Sequence, residues 1–76
     1  MYLGWYDADK KVPITAKVDE ALKRYHEKFG SSPDTILMGT AGVDDVRVAF
    51  GDSYRVKALD YILPNTIYVG VSDTQI

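Results

Sequence analysis

The stretch that decides the fold is PITAKVDEALKRYHEKFG, residues 13–30. Its apolar side chains recur every three or four residues, the spacing that places them on one side of an α-helix. These apolar residues are Ile14, Val18, Ala21, Leu22, Tyr25 and Phe29, and the charged residues Lys17, Glu20, Lys23, Arg24 and Glu27 take the other side. Pro13 suits a first turn, while Gly30 and the following Pro33 suit a helix end. The pattern therefore predicts an amphipathic helix over residues 13–29.

Short apolar segments flank this helix on both sides. Tyr2–Tyr6 precedes it and Thr35–Met38 follows it, each bounded by polar or turn-forming residues, as strands usually are. A strand, a helix and a second strand in this order predict a parallel pair joined by a right-handed crossover. We expect residues 40–45 to be a loop, or a loop with one helical turn.

Residues 46–58 predict a first hairpin, because the turn residues 51–53 separate two segments rich in strand formers. If Phe50 faces Tyr54, one side of this hairpin is apolar throughout, and a slip of one residue would invert it. The other side is then basic and consists of Arg47, Arg55 and Lys57.

A second hairpin is predicted around Pro64-Asn65, which favours a tight turn, with Ile62 facing Ile67, Tyr61 facing Tyr68 and Leu59 facing Gly70. Alternation along this hairpin would bury Asp60, so we expect a bulge or a break near it. Together the elements predict one α+β domain over residues 1–76. It has a mixed sheet of about five strands, in the order β-α-β-β-β-β, with one long amphipathic helix on one face.

One helix cannot cover both faces of such a sheet, because a helix is about 10 Å wide and five strands span about 19 Å. The uncovered face of a monomer should be polar. Here the second hairpin and the first strand carry apolar or aromatic residues on both sides. We therefore expect an interface on the uncovered face, formed by Leu59, Tyr61, Leu63, Tyr68, Tyr2 and Tyr6. The simpler alternative is that the tyrosine rings lie at the sheet edge with their hydroxyls in water.

Composition limits the remaining possibilities. The chain has 76 residues, no Cys and one His, so it has neither disulfides nor the usual ligands of a structural zinc site. No apolar run approaches the roughly 20 residues of a membrane span, and no signal-peptide pattern opens the chain. We expect a cytoplasmic protein with no membrane partner. A net charge of −2 argues against nucleic acid as a partner.

The residues that could carry chemistry are few. Asp7, Asp9, Asp44 and Asp45 follow predicted strands and are weak candidates for Mg²⁺ or Ca²⁺ ligands, although solvated acidic loops explain them better. His26 has no second histidine or nucleophile nearby in the sequence, and Ser31 and Ser32 resemble ordinary loop residues. The sequence therefore predicts no catalytic residue and no cofactor.

Three functions follow from these patterns, in decreasing order of support. The first is a non-catalytic accessory module that binds another protein, most economically a second copy in a homodimer, through the uncovered face. The second is a single-stranded nucleic-acid-binding module on the same face, where Arg47, Arg55 and Lys57 would contact phosphates and tyrosine rings would stack on bases. The third is a metal-dependent activity at the acidic loops.

Overall fold

A computed structural model describes residues 1–72 and confirms an α+β fold with a mixed sheet. Its elements are β1 (Tyr2–Tyr6), α1 (Ile14–Phe29), β2 (Thr35–Met38), α2 (Val43–Phe50), β3 (Arg55–Ala58) and β4 (Thr66–Gly70). The strands lie in the order β1-β4-β2-β3, with β2 and β3 parallel and β4 antiparallel to both of its neighbours. The last four residues of the predicted domain lie outside the described part.

The long helix is confirmed. Its C-terminal cap, Gly30, has a left-handed φ of 73° and donates its N–H to the His26 carbonyl. Glycine adopts this conformation more readily than any other residue, which explains why the helix ends there. On the exposed side, the guanidinium of Arg24 lies 3.2 Å from the carboxylate of Glu20. This pair has the acid-before-base order that stabilises a helix at a spacing of four residues.

Lys17 departs from the predicted pattern. It was assigned to the solvent side of α1, yet its exposed fraction is only 3%. Its position borders the apolar stripe, so the aliphatic stem can be buried while the ammonium reaches a polar partner. That partner is Asn65, whose side-chain oxygen accepts a hydrogen bond of 2.8 Å from the ammonium.

Residues 46–50, predicted as a strand, form the second half of α2. Val43 and Val46 are buried and Phe50 packs against the core, which is helical spacing, while Val48 is exposed. Five residues are too few to separate this spacing from strand alternation. The first predicted hairpin is therefore wrong, and Arg47 lies on a helix rather than on a strand facing Lys57.

The second predicted hairpin is also wrong. Residues 59–63 form a loop between β3 and β4, and β4 pairs with β1 on one side and β2 on the other. Within residues 1–72 the sheet consequently has four strands rather than five. β1 and β2 run parallel, as predicted, but β4 separates them. Asp60 is exposed in the loop, so the burial that led us to expect a bulge does not arise.

Both helices cover the same face of the sheet. The β1-α1-β2 and β2-α2-β3 connections step in the same direction across the sheet, and crossovers of one hand then place both helices on one side. On this side Ile36, Met38, Ile67 and Val69 meet the buried residues of the helices in the core. We call the other side the open face; its strand residues are Tyr2, Gly4, Tyr6, Thr35, Leu37, Arg55, Lys57, Thr66, Tyr68 and Gly70.

Candidate interaction surface

The strand register arranges the open face in cross-strand rows. One row consists of Tyr2, Gly70, Thr35 and Arg55, and the next consists of Gly4, Tyr68, Leu37 and Lys57. Charge in these rows is confined to β3, at one edge of the sheet. The two central strands present uncharged residues, of which Tyr68 and Leu37 are directly paired.

Two tyrosine rings lie on the glycines of the neighbouring strand. A Cβ atom at Gly4 would lie 3.0 Å from Cε1 of Tyr68, and one at Gly70 would lie 2.7 Å from Cδ2 of Tyr2. Aromatic side chains that cover strand glycines in this way restore the packing that glycine lacks. The glycines therefore let both rings lie close against the backbone, and this part of the open face is aromatic.

The loop of residues 59–63 forms one wall of a groove on the open face. The groove has a volume of about 580 Å³ and is lined by Tyr2, Leu37, Leu59, Tyr61, Ile62, Leu63, Thr66 and Tyr68. Ile62 is buried and anchors the loop, whereas Tyr61 and Leu63 are 81% and 73% exposed. A Cβ atom at Gly39 would lie 2.5 Å from the Ile62 carbonyl oxygen, so the loop lies against the end of β2 only because residue 39 is glycine.

Most of the predicted interface residues come together in this groove. Leu59, Tyr61, Leu63, Tyr68 and Tyr2 all line it. Tyr6 lies on the open face at the far end of β1, outside the groove. The groove residues meet through a loop and a central strand rather than through the hairpin that was expected.

Leu37 is the groove residue that sequence reasoning should have found. It stands between Ile36 and Met38, which are both buried on the helix side. Three consecutive apolar residues in a strand place one of them on the opposite face, as in strands that are covered on both sides.

The three basic residues also come together, along the β3 edge. Arg47 of α2 joins Arg55 and Lys57 of β3 around a groove of about 570 Å³, which Asp52 also lines. Arg47 has an acidic neighbour 3.9 Å away, Asp44. Arg55 and Lys57 are exposed and lie on the open face, whereas Arg47 reaches the groove from a helix.

The four carboxylates considered as metal ligands do not form one site. An oxygen of Asp7 accepts the Asp9 N–H, and an oxygen of Asp9 accepts the Lys11 N–H, each at 2.9 Å. Asp44 and Asp45 lie in the first turn of α2. Within residues 1–72 no three metal-binding side chains come together. The acidic residues serve local turns and the start of a helix instead.

Asp34 is a carboxylate whose environment favours its charged form. It accepts hydrogen bonds from the Thr35 hydroxyl at 2.7 Å and from the Ser72 N–H at 3.1 Å. These two bonds, chiefly that from Thr35, hold the pKa of Asp34 below its ordinary value. The carboxylate thereby ties the chain after β4 to the start of β2.

Comparisons with protein-family models, with curated proteins and with solved structures found no match for this chain. No helix in residues 1–72 is long and apolar enough to cross a membrane. His26, Ser31 and Ser32 are all exposed, on α1 and in the segment after it.

Proposed function

We propose that this protein is a non-catalytic interaction module that binds a second copy of itself through the open face. The observation that carries the proposal is the uncharged centre of that face. Tyr68 and Leu37 occupy paired positions on the two central strands, where a sheet facing water would carry polar side chains. A cytoplasmic location is proposed from composition alone.

The open face has the shape that a two-fold contact needs. In such a contact the same patch of both copies meets itself, so one patch must carry both a projection and a recess. The exposed side chains of Tyr61 and Leu63 project beside the groove that they help to line. A second copy can therefore place its projection in the groove of the first.

Charge also favours a second copy. Arg55 and Lys57 lie on β3, and Asp60 is exposed in the loop that follows the same strand. A two-fold axis in the plane of the interface, perpendicular to the strands, places the loop of each copy over the start of the partner's β3. The carboxylate of one copy then approaches the cations of the other, which favours this orientation.

The size of the face predicts a contact of moderate strength. Four strands of about five residues give a flat area of roughly 300 Å², whereas a standard interface buries roughly 800 Å² on each partner. The loop side chains must therefore supply much of the contact. We expect a Kd in the micromolar range, about −8 kcal/mol.

The test is a comparison of two exposed aliphatic side chains, one on the open face and one outside it. Leu63→Glu places a charge in the contact and should weaken self-association at least tenfold, about 1.4 kcal/mol. Val48→Glu, on α2, is the matched control because Val48 is 89% exposed and lies on the helix side. Light scattering over a range of concentrations measures both. An unchanged mass for Leu63→Glu, or a wild-type mass that stays at 8.5 kDa near millimolar concentration, contradicts the proposal.

A second candidate function is single-stranded nucleic-acid binding on the same face. It is favoured by the row in which Lys57 and Tyr68 flank Leu37, since cations and aromatic rings side by side suit phosphates and bases. Titration of a fluorescent oligothymidylate at about 50 and 200 mM salt tests it, because phosphate contacts lose affinity as salt rises. Absence of binding, or binding that Arg55→Gln and Lys57→Gln leave unchanged, rejects it.

A further inference from the structure

Within residues 1–72, the edge strand β1 has backbone groups that pair with no other strand. Met1 and Asp7, on either side of β1, bond to the chain on either side of β4: the Val71 N–H donates to the Met1 carbonyl, and the Asp7 N–H donates to the Asn65 carbonyl. Hydrogen-bonded pairs alternate along an antiparallel ladder. The odd-numbered residues of β1 therefore face β4. The N–H and C=O groups of Tyr2, Gly4 and Tyr6 point away from it.

This edge lacks the usual protection against pairing with another strand. Natural sheets guard exposed edges with charged side chains, proline or bulges. The opposite edge strand, β3, carries Arg55 and Lys57, whereas β1 reads YLGWY and has neither a charge nor a proline. The two edges of the sheet therefore differ in their capacity to accept another strand.

A groove beside this edge, on the helix side, can receive the side chains of an added strand. It has a volume of about 340 Å³ and lies among Leu3 and Trp5 of β1 and three residues of α1, which are Arg24, Glu27 and Lys28. The guanidinium of Arg24 lies 5.3 Å from the centre of the Trp5 ring system. Arg24 thereby forms part of the wall of this groove. Alternate side chains of an added strand point into this groove.

We propose that β1 pairs antiparallel with β1 of a second copy, about a two-fold axis at Gly4, so that the two sheets become continuous. Tyr2 then exchanges hydrogen bonds with the partner's Tyr6, Gly4 with the partner's Gly4, and Tyr6 with the partner's Tyr2. About six backbone hydrogen bonds form, and each group that points away from β4 finds a partner.

The side chains of β1 suit this register. Leu3 comes to lie beside the partner's Trp5 over the helix-side groove. On the open face, Gly4 of each copy lies at the axis and leaves room for the Tyr68 ring that covers it. α1 runs antiparallel to β1, so the same axis brings Glu27 to nearly the height of the partner's Arg24. On the open face the partner's Tyr6 lies next to Tyr2, which lines the groove of the first copy. Each copy therefore extends the groove of the other.

Two substitutions at one position test the pairing. Tyr6→Pro removes an N–H that has no partner among residues 1–72, and edge strands tolerate proline where the N–H faces outward. By symmetry it removes two of the shared hydrogen bonds, and the assembly should fall to half of its wild-type mass. Tyr6→Ala removes the ring but keeps the N–H, so it should weaken the association less than Tyr6→Pro. Equal masses for Tyr6→Pro and the wild type, or an equal loss in Tyr6→Ala, overturn the pairing.

A measurement on the unmodified protein covers the case in which Tyr6→Pro does not fold. Amide hydrogen exchange followed by NMR at about 1 mM and about 20 µM compares associated and dissociated protein. The amides of Tyr2, Gly4 and Tyr6 should be protected only at the higher concentration, while those of Leu3 and Trp5 should be protected at both. Rapid exchange of the three even-numbered amides at both concentrations overturns the pairing.

This contact is independent of the open-face contact, because it uses the backbone of an edge strand. Leu63→Glu leaves the β1 edge intact, and Tyr6→Pro leaves the loop of residues 59–63 intact. If only one of the two contacts exists, only the corresponding variant lowers the mass. If both exist, each single variant halves the mass and the double variant is an 8.5 kDa monomer.

Discussion

The hydrogen bond from Lys17 to Asn65 joins α1 to the turn before β4. Asn65 has a left-handed φ of 64°, which glycine also adopts without strain. Asn65→Gly therefore removes the accepting oxygen and leaves the backbone of the turn unstrained. The buried ammonium would lose this acceptor, so we expect a loss of about 1–3 kcal/mol in the free energy of unfolding.

Urea denaturation measures this loss, and a second variant identifies its cause. Lys17→Met keeps most of the buried stem and removes the charge, so it should cost less than Asn65→Gly. In a Lys17→Met background the Asn65→Gly change should have little further effect. A full loss from Asn65→Gly in that background would mean that the turn, rather than the hydrogen bond, depends on Asn65.

The lowered pKa of Asp34 predicts that the stability of the fold depends on pH. Its pKa is lower in the folded chain than in the unfolded chain, so the ionised carboxylate stabilises the fold above about pH 4. That contribution is lost as the pH falls through the folded-state pKa. Urea midpoints measured between pH 6 and pH 2.5 should fall more for the wild type than for Asp34→Asn, which keeps an acceptor oxygen but does not titrate. Parallel curves for the two proteins would contradict this role.

At the scale of elements, the loop of residues 59–63 depends on Gly39. A methyl group at this position would meet the Ile62 carbonyl oxygen, a backbone atom that cannot turn aside. Gly39→Ala should displace the loop, destabilise the fold by about 1–3 kcal/mol and weaken self-association. Gly30→Ala is the control: its φ of 73° makes alanine unfavourable, but it lies at the end of α1. It should lower stability in urea without changing the concentration dependence of the mass.

The elements differ in how well the sequence predicts them. α1 is recognisable because its apolar stripe repeats over sixteen residues, more than four turns of helix. α2 spans only eight residues, and Val46, Val48 and Phe50 fit strand alternation as well as a helix. These residues form a helix rather than a strand because β2 and β3 must be covered on the helix side. That need arises only once the strand order is fixed, so local residues could not have revealed it.

At the scale of the whole molecule, most of the predicted interface residues lie together, but for a different structural reason from the predicted one. Tyr68 and Leu63 were expected on facing strands of a hairpin, and they meet instead because β4 enters the middle of the sheet beside the loop. An excess of apolar residues over what the helices can cover depends on composition rather than on strand order. The prediction of an apolar surface therefore survives the change in topology, whereas Leu37 required the observed register.

The two edges of the sheet differ in charge and in their capacity to accept another strand. β3 carries two cations and borders the groove that Arg47 also lines, while β1 is uncharged. A foreign strand that approaches β3 meets charge, and one that approaches β1 meets free backbone groups and a groove. Association through strand addition is consequently limited to one edge, which favours a closed pair over an open chain of molecules.

The place of β4 in the sheet has a consequence for biosynthesis. Of the four described strands, β4, which lies between β1 and β2, is the last to leave the ribosome. β2 and β3 can pair as soon as they emerge, but β1 lacks its described neighbour, β4, until residue 70 has been made. At about 5–20 residues per second, β1 waits several seconds for β4 to be synthesised. Chaperones that capture extended apolar segments would find their target there during that interval.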